Sequence, residues 1–131
     1  MSKLPTVVGL VICRRFDVDA NTGQVNLIGI SPRALLYPRF PILSEPFTLY
    51  VHLYGGAGEG TIELLILSLE TERRIYRYRR WLAFEPDQFV HLEIRVRRCA
   101  FPAPGRYLLQ LFFDGQLLSD RVLDVQRSSR S

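Results

Sequence analysis

Apolar and polar residues alternate along much of the chain, most clearly in the segments 47–54 and 89–96. In the first segment every odd-numbered residue is apolar, and in the second every even-numbered residue is apolar. Successive side chains of a strand point to opposite faces, so each segment predicts a strand that buries one face. Almost no segment repeats apolar residues at helical spacing. The pattern therefore predicts an all-β domain.

Turn-forming sequences separate the predicted strands. These strands cover residues 7–16, 24–30, 47–54, 61–70, 74–84, 89–99, 105–113 and 116–125. Four prolines in residues 31–46 lack the N–H that a sheet interior requires, so this stretch is predicted to cross between sheets. Strands at this spacing predict an antiparallel two-sheet β-sandwich of about seven to nine strands. The predicted core contains Val11, Leu27, Leu49, Val51, Leu92, Ile94, Leu109 and Leu111.

The C-terminal third contains the most diagnostic motif. Pro104-Gly105-Arg106-Tyr107 leads into a strand, then Asp114-Gly115, then a last strand, and Asp-Gly between alternating strands signals a hairpin. This arrangement is similar to the final two strands of many immunoglobulin-like sandwiches, in which a tyrosine anchors a corner. The resemblance implies that Tyr107 is buried, with its hydroxyl bonded to the backbone of the preceding corner.

A second resemblance lies in the N-terminal half. Residues 11–15 and 22–30 form a strand, a polar turn and a Gly-Gln-x-x-Leu-Ile-Gly opening, followed by Phe40-Pro41 and Pro46-Phe47. These segments resemble an uncharacterised bacterial family of short β-sandwich proteins. The resemblance implies no activity and no catalytic residues.

Length and cysteine usage suggest one cytoplasmic domain. The 131 residues fit a single sandwich over 1–126 with a flexible tail at 127–131. The apolar run at 7–12 is too short for a membrane span and has no cleavage site behind it, so neither export nor membrane insertion is expected. Cys13 and Cys99 are therefore expected to be reduced.

Motifs for catalysis or for metal and cofactor binding are incomplete. Residues 29–33 lack the second glycine of a nucleophile elbow, and the glycine-rich residues 55–60 lack the Gly-Lys-Ser/Thr of a phosphate loop. The alternating oxygens of Asp17, Asp19 and Asn21 are interpreted as a turn, because the glycine and glutamate of a calcium loop are missing. A pairing of either cysteine with His52 or His91 stays open. We expect no enzyme, no metal and no cofactor.

Arginine dominates the charge of the chain. The net charge is +4, and the segments 73–81 and 95–98 interleave arginine with aromatic and apolar residues. If the strands 74–84 and 89–99 pair as a hairpin, they form one solvent-facing surface. This predicted binding face contains Tyr50, His52, Arg77, Arg79, Arg95 and Arg97. Ile75 and Trp81 share the parity of Arg77 and are expected to be exposed unless a bulge reverses the strand.

Three interpretations of this face stay open. Arginine and tyrosine are common on an ordinary solvated sheet face. A protein partner or a second copy of the chain could pack against it, which predicts a non-enzymatic module for protein binding or self-assembly through a sheet face or edge. The alternative is binding of nucleic acid or another polyanion, because bases stack on aromatic rings and phosphates pair with arginine.

Overall fold

The computed structural model describes residues 3–29 and 34–128. In it, the segments in which apolar and polar residues alternate form strands. The strands are β1 (Thr6–Cys13), β2 (Arg15–Val18), β3 (Val25–Ile28), β4 (Ala34–Tyr37), β5 (Ile42–Leu43), β6 (Phe47–Tyr54), β7 (Gly58–Ser68), β8 (Arg74–Phe84), β9 (Phe89–Val96), β10 (Ala100–Phe101), β11 (Gly105–Phe113) and β12 (Gln116–Arg127). The described residues contain no helix. The all-β prediction is confirmed.

Two sheets pack face to face and enclose the core. One has the order β1-β6-β9 and the other the order β4-β12-β11-β7-β8, and two short pairs, β2-β3 and β10-β5, flank them. The largest fully buried side chains include Phe101, Phe113, Leu49, Ile66, Leu109 and Leu111. The Arg121 guanidinium on β12 donates to the Leu10 carbonyl on β1 at 3.1 Å, which joins the two sheets along one side.

The strand count and direction differ from the prediction. Twelve described strands exceed the predicted range because the flanking pairs add four strands to the eight of the main sheets. The pairing of β4 with β12 is parallel, which departs from the predicted antiparallel pattern at this strand. The connection does change sheets, since β4 and β6 belong to different ones. Pro32 lies outside the described residues.

The first predicted hairpin forms between other segments than expected. The predicted first strand is interrupted at Arg14. Its first part, β1, pairs with β6, whereas its second part, β2, pairs with β3. A shift in register between Val7 and Gly9 places Leu10 and Ile12 on the inner face. Val11 therefore lies on the outer face and is only partly buried, contrary to its assignment to the core.

The remaining core predictions can be judged strand by strand. Six of the eight predicted core residues are buried: Leu49, Val51, Leu92, Ile94, Leu109 and Leu111. Leu27 is only partly buried because β3 belongs to a flanking pair rather than to a main sheet. Parity along a strand therefore identified inner faces correctly wherever the strand lies in a main sheet without a bulge.

The predicted tyrosine corner is present. Tyr107 is only 2% exposed, and its hydroxyl donates to the Ala103 carbonyl at 2.6 Å. The Phe101 and Tyr107 rings meet edge to face with centroids 5.0 Å apart. A buried phenol needs such a partner, and this geometry at the start of a penultimate strand is characteristic of immunoglobulin-like sandwiches. The sandwich is immunoglobulin-like in this respect.

The C-terminal end of the sheet extends past the predicted domain limit. β12 runs to Arg127, and the Ser128 amide donates to the Tyr37 carbonyl at 2.8 Å. The rest of the predicted tail, residues 129–131, lies outside the described residues.

Candidate interaction surface

The predicted arginine face is divided between the two sheets. β8 pairs with β7 in the five-stranded sheet, whereas β9 pairs with β6 in the three-stranded sheet. The short loop between them passes from the edge of one sheet to the edge of the other. The prediction that Arg77, Arg79, Arg95 and Arg97 share one surface is therefore wrong. The odd–even alternation along each strand correctly predicts the face on which each of these side chains lies. It does not predict which sheet the strand joins.

The six predicted residues occupy three places. Tyr50, His52 and Arg95 lie on the outer face of the three-stranded sheet. Arg77 and Arg79 lie on the outer face of the five-stranded sheet. Arg97 follows the end of β9 and is exposed, and its backbone lies close to the Tyr76 hydroxyl on β8.

The chain itself covers part of the outer face of the three-stranded sheet, while Tyr54 and Phe89 on that face stay exposed. The β2–β3 pair, here called the ribbon, places Phe16 against Tyr50 with ring centroids 4.6 Å apart, and Tyr50 is only 6% exposed. The Arg95 guanidinium donates to the Thr48 hydroxyl at 2.8 Å and to the Arg14 carbonyl. These side chains therefore hold the ribbon to the sheet, and we call this surface the covered face.

Two histidines extend the covered face. The Tyr50 hydroxyl and His91 Nδ1 are 2.6 Å apart, and the His52 and His91 rings stack with centroids 4.5 Å apart. His52 Nε2 is buried without a hydrogen-bond partner among the described residues. Burial, and then the nearby His91, lower the pKa of His52 below its usual value of 6.5. Both effects disfavour the charged imidazolium.

The cysteine–histidine pairing does not assemble in the described residues. Cys99 is fully buried, and burial raises the pKa of its thiol to about 12. Burial, followed by the Glu93 charge, also raises the pKa of Cys13. A thiol in such surroundings carries little thiolate at neutral pH. Neither cysteine forms a hydrogen bond with a histidine in the part of the chain that the structure describes.

The Asp-rich turn uses its oxygens locally. Asp19 Oδ1 accepts hydrogen bonds from the backbone amides of Asn21 at 2.8 Å and Thr22 at 3.2 Å. This is the behaviour of an aspartate that stabilises a turn. Across residues 3–29 and 34–128, no three His, Cys, Asp or Glu side chains are grouped in a way that could hold a metal ion. The same residues include no helix of the length and apolarity needed to cross a membrane.

The outer face of the five-stranded sheet is apolar and uncovered. Strand register places eight large apolar side chains of the described residues there, of which Leu65 is buried: Leu36, Leu65, Leu67, Trp81, Leu108, Phe112, Leu117 and Val122. Trp81 is 60% exposed, Val122 53% and Leu117 48%. No element among the described residues packs over them. We call this surface the bare face.

The sequence signal for the bare face lies in the two central strands. Leu64–Leu67 of β7 and 107–113 of β11 are almost continuously apolar, with Gln110 as the exception. Continuous apolar runs are typical of strands that are buried on both faces, whereas a strand with one wet face alternates. Sequence reasoning that looked for arginine and aromatic clusters missed this departure from alternation.

Charged groups border the bare face on two sides. Glu63 Oε2 accepts from Arg77 Nε at 2.8 Å and from Arg79 Nε at 3.3 Å, so these two arginines together keep one positive charge that Glu63 does not neutralise. At the opposite border, Asp120 on β12 has no ion pair among the described residues. The bare face is thus an apolar band between a positive and a negative border.

The aromatic residues of the arginine-rich strand β8 do not all lie on the same face as Arg77 and Arg79. Tyr76 and Tyr78 pack against the core, and a register shift at the start of β8 turns Ile75 towards it as well. Trp81 is the aromatic residue on the outer face of β8, and it is exposed beside Arg79. The expected exposure of Trp81 is confirmed, and the bulge accounts for the different position of Ile75.

Comparison with known proteins identifies the family. A family model described as a family of unknown function, DUF6941, matches residues 9–126. The chain belongs to the DUF6941 family. This match confirms the resemblance to a family without an assigned activity, and no curated protein matches the DUF6941 chain.

Solved structures also match. One is an immunoglobulin-like protein from Pseudomonas aeruginosa, which shares 16% sequence identity with this DUF6941 member, with a TM-score of 0.46. The match covers 94% of this chain and 97% of that protein.

Proposed function

We propose that this DUF6941 domain is a non-enzymatic protein-interaction module that associates with a second copy of itself through the bare face. The observation that carries the proposal is that β7 and β11 present apolar side chains on both faces, while the described chain covers only the inner one. Water contact with Phe112, Leu108 and their neighbours is unfavourable, and covering them stabilises an assembly.

The charge pattern favours a second copy as the occupant. Asp120 pairs across the sheet with Gln110, and Gln110 pairs with Leu65 on β7. Leu65 in turn pairs with Arg77, so that Arg77 and Asp120 lie in one row, about 14 Å apart at the usual strand spacing. If two copies pack face to face around a two-fold axis that runs parallel to the strands, the β8 border of one copy lies over the β12 border of the other. The surplus arginine charge of each copy then faces Asp120 of the other.

Sedimentation velocity over a range of about 1 to about 500 μM tests the proposal, since few exposed apolar side chains predict an association in the micromolar range. We expect the average mass to rise towards that of a dimer. Val122→Glu places a charge in the apolar band and should abolish the rise. Val18→Glu is the matched control, because Val18 is an exposed strand valine on the ribbon.

A charge exchange tests the orientation. Arg77→Asp and Asp120→Arg should each weaken association, and the double variant should restore it, because the two residues face each other across the interface. A wild-type chain that stays monomeric at all concentrations contradicts the proposal. Equal losses in Val122→Glu and Val18→Glu also contradict it.

Polyanion binding has less support. Its motivation was a single surface with four arginines and stacking tyrosines, whereas the arginines lie on different sheets and Glu63 binds two of them. Tyr76 and Tyr78 pack against the core and are not free to stack on bases. A cytoplasmic location is part of the proposal, and the free thiols of Cys13 and Cys99 fit a reducing compartment.

A further inference from the structure

The strand β8 forms an open edge of the five-stranded sheet. It is eleven residues long, and among residues 3–29 and 34–128 its only sheet neighbour is β7. The short strand β10 also lies near β8, where Ile75, Ala100 and Phe101 line one pocket. Backbone N–H and C=O groups on the outer side of such a strand have no ladder partner, and an exposed edge of this length is a template for one more strand.

The charge along this edge is one-sided. Five arginines lie on β8 or directly before it: Arg73, Arg74, Arg77, Arg79 and Arg80. The segment 73–84 contains no carboxylate. Glu63 on β7 binds Arg77 and Arg79, whereas Arg73, Arg74 and Arg80 have no ion pair among the described residues. The edge therefore holds a positive charge that the described chain does not neutralise.

We propose that β8 binds an extended acidic segment of a partner protein, which adds as a strand to this edge. Main-chain hydrogen bonds would hold the segment, and its carboxylates would pair with the unpartnered arginines across the new ladder. A second copy of β8 is a poor occupant, because it would place arginine opposite arginine. This site is independent of self-association, since face-to-face pairing leaves the edge open.

Nucleic acid competes for the same charge but lacks the matching backbone. An extended peptide offers alternating N–H and C=O groups to the edge, whereas a phosphate backbone offers only acceptors. Trp81 is also the one exposed ring on the outer side of β8, and a base-stacking platform uses several. The geometry therefore favours the acidic peptide, and an oligonucleotide serves as the competing outcome.

Fluorescence anisotropy with the full chain provides the test. The probe is a labelled peptide of about ten residues built from pairs of glutamates separated by single threonines, because Arg74 and Arg80 lie on opposite faces of β8 and carboxylates are needed on both. Its length matches the strand. One control peptide has the same composition with every backbone amide N-methylated, which keeps the charge and removes the donors of both strand edges. The other controls are a lysine–threonine peptide and a thymidine oligonucleotide of about ten nucleotides.

We expect the glutamate–threonine peptide to bind and the N-methylated and lysine peptides to bind about tenfold more weakly or not at all. Arg73→Glu with Arg80→Glu should weaken binding about tenfold or more. Arg106→Glu, an exposed arginine on β11, is the matched control and should change it little. Amide hydrogen exchange should show new protection in β8 when the peptide is bound.

The opposite results overturn the proposal. Equal binding of the N-methylated peptide shows plain charge attraction without strand addition, and tighter binding of the oligonucleotide assigns the edge to nucleic acid. No binding of the glutamate–threonine peptide at about 50 mM salt also rejects it. Val122→Glu should still bind the peptide, and the double arginine variant should still self-associate, so the two proposals fail separately.

Discussion

The covered face and the bare face are the outer surfaces of the two sheets in one sandwich, and they differ in what lies over their apolar groups. On the covered face, the ribbon places Phe16 over Tyr50. On the bare face, the described residues place nothing over Leu108, Phe112 or Trp81. The chain therefore covers the aromatic ring at the centre of one outer surface with its own residues, whereas on the other surface the described residues leave the apolar side chains without a cover.

Truncation of one aromatic ring on each face gives the largest expected contrast. Tyr50→Ala should lower the free energy of unfolding by about 3 kcal/mol, because it removes a nearly buried ring and its hydrogen bond to His91. Trp81→Ala should change it by less than about 1 kcal/mol in the monomer, because most of that ring is exposed. Urea unfolding at low protein concentration measures both. Similar losses would mean that the two faces are equally covered.

Removal of the Tyr107 hydroxyl tests whether the five-stranded sheet is well packed beneath its bare face. Tyr107→Phe should cost about 1 kcal/mol, because the Ala103 carbonyl loses its buried donor. The same unfolding experiment measures it. A cost near zero would contradict the tyrosine corner and would suggest that the sheet is loose on both faces.

Acid should weaken the covered face specifically, since both histidines of the chain lie there. The folded state lowers the pKa of His52, so it favours the neutral ring. This contribution to stability is complete above the unfolded pKa near 6.5 and is lost as pH falls below that value. Unfolding at about pH 7.5 and about pH 5.5 measures the loss. His52→Phe should reduce the difference, and an unchanged difference would assign it to other groups.

The smallest effect is expected at the border of the bare face. Arg79→Gln should change the free energy of unfolding by at most about 0.5 kcal/mol, because the pair with Glu63 is exposed and Arg77 keeps its own contact. Thermal unfolding in low and high salt measures it. A larger loss would show that this ion pair supports the fold rather than the surface.

Much of the fold could be predicted, because the alternation of apolar and polar residues that assigns the two faces of a strand lies within the strand itself. The alternation in 47–54 and 89–96 identifies the inner residues Leu49 and Ile94, and the Pro-Gly-x-Tyr motif identifies the corner. The partner of each strand depends on distant residues, so the assignment of Arg77 and Arg95 to one sheet was wrong. Bulges at Val8 and Ile75 also have no clear signal in the alternation.

The candidate surface was only partly predictable. The charged and aromatic residues of the sequence indicate β8, and its Trp81 and Arg79 do lie on the bare face. The centre of that face consists of Leu108 and Phe112, which look like ordinary core residues in the sequence. Only the sheet order shows that nothing in the described chain covers them.

The ribbon also has a consequence for how far an assembly can grow. A sandwich with two sticky outer surfaces would stack copy upon copy into an open fibre, because every added unit offers a fresh surface. Phe16 already lies over Tyr50, so in the proposed assembly this side would not accept a further copy there and growth would stop at a single pair. In that assembly the ribbon would limit growth, and a variant that moves Phe16 away from Tyr50 should form species larger than a pair.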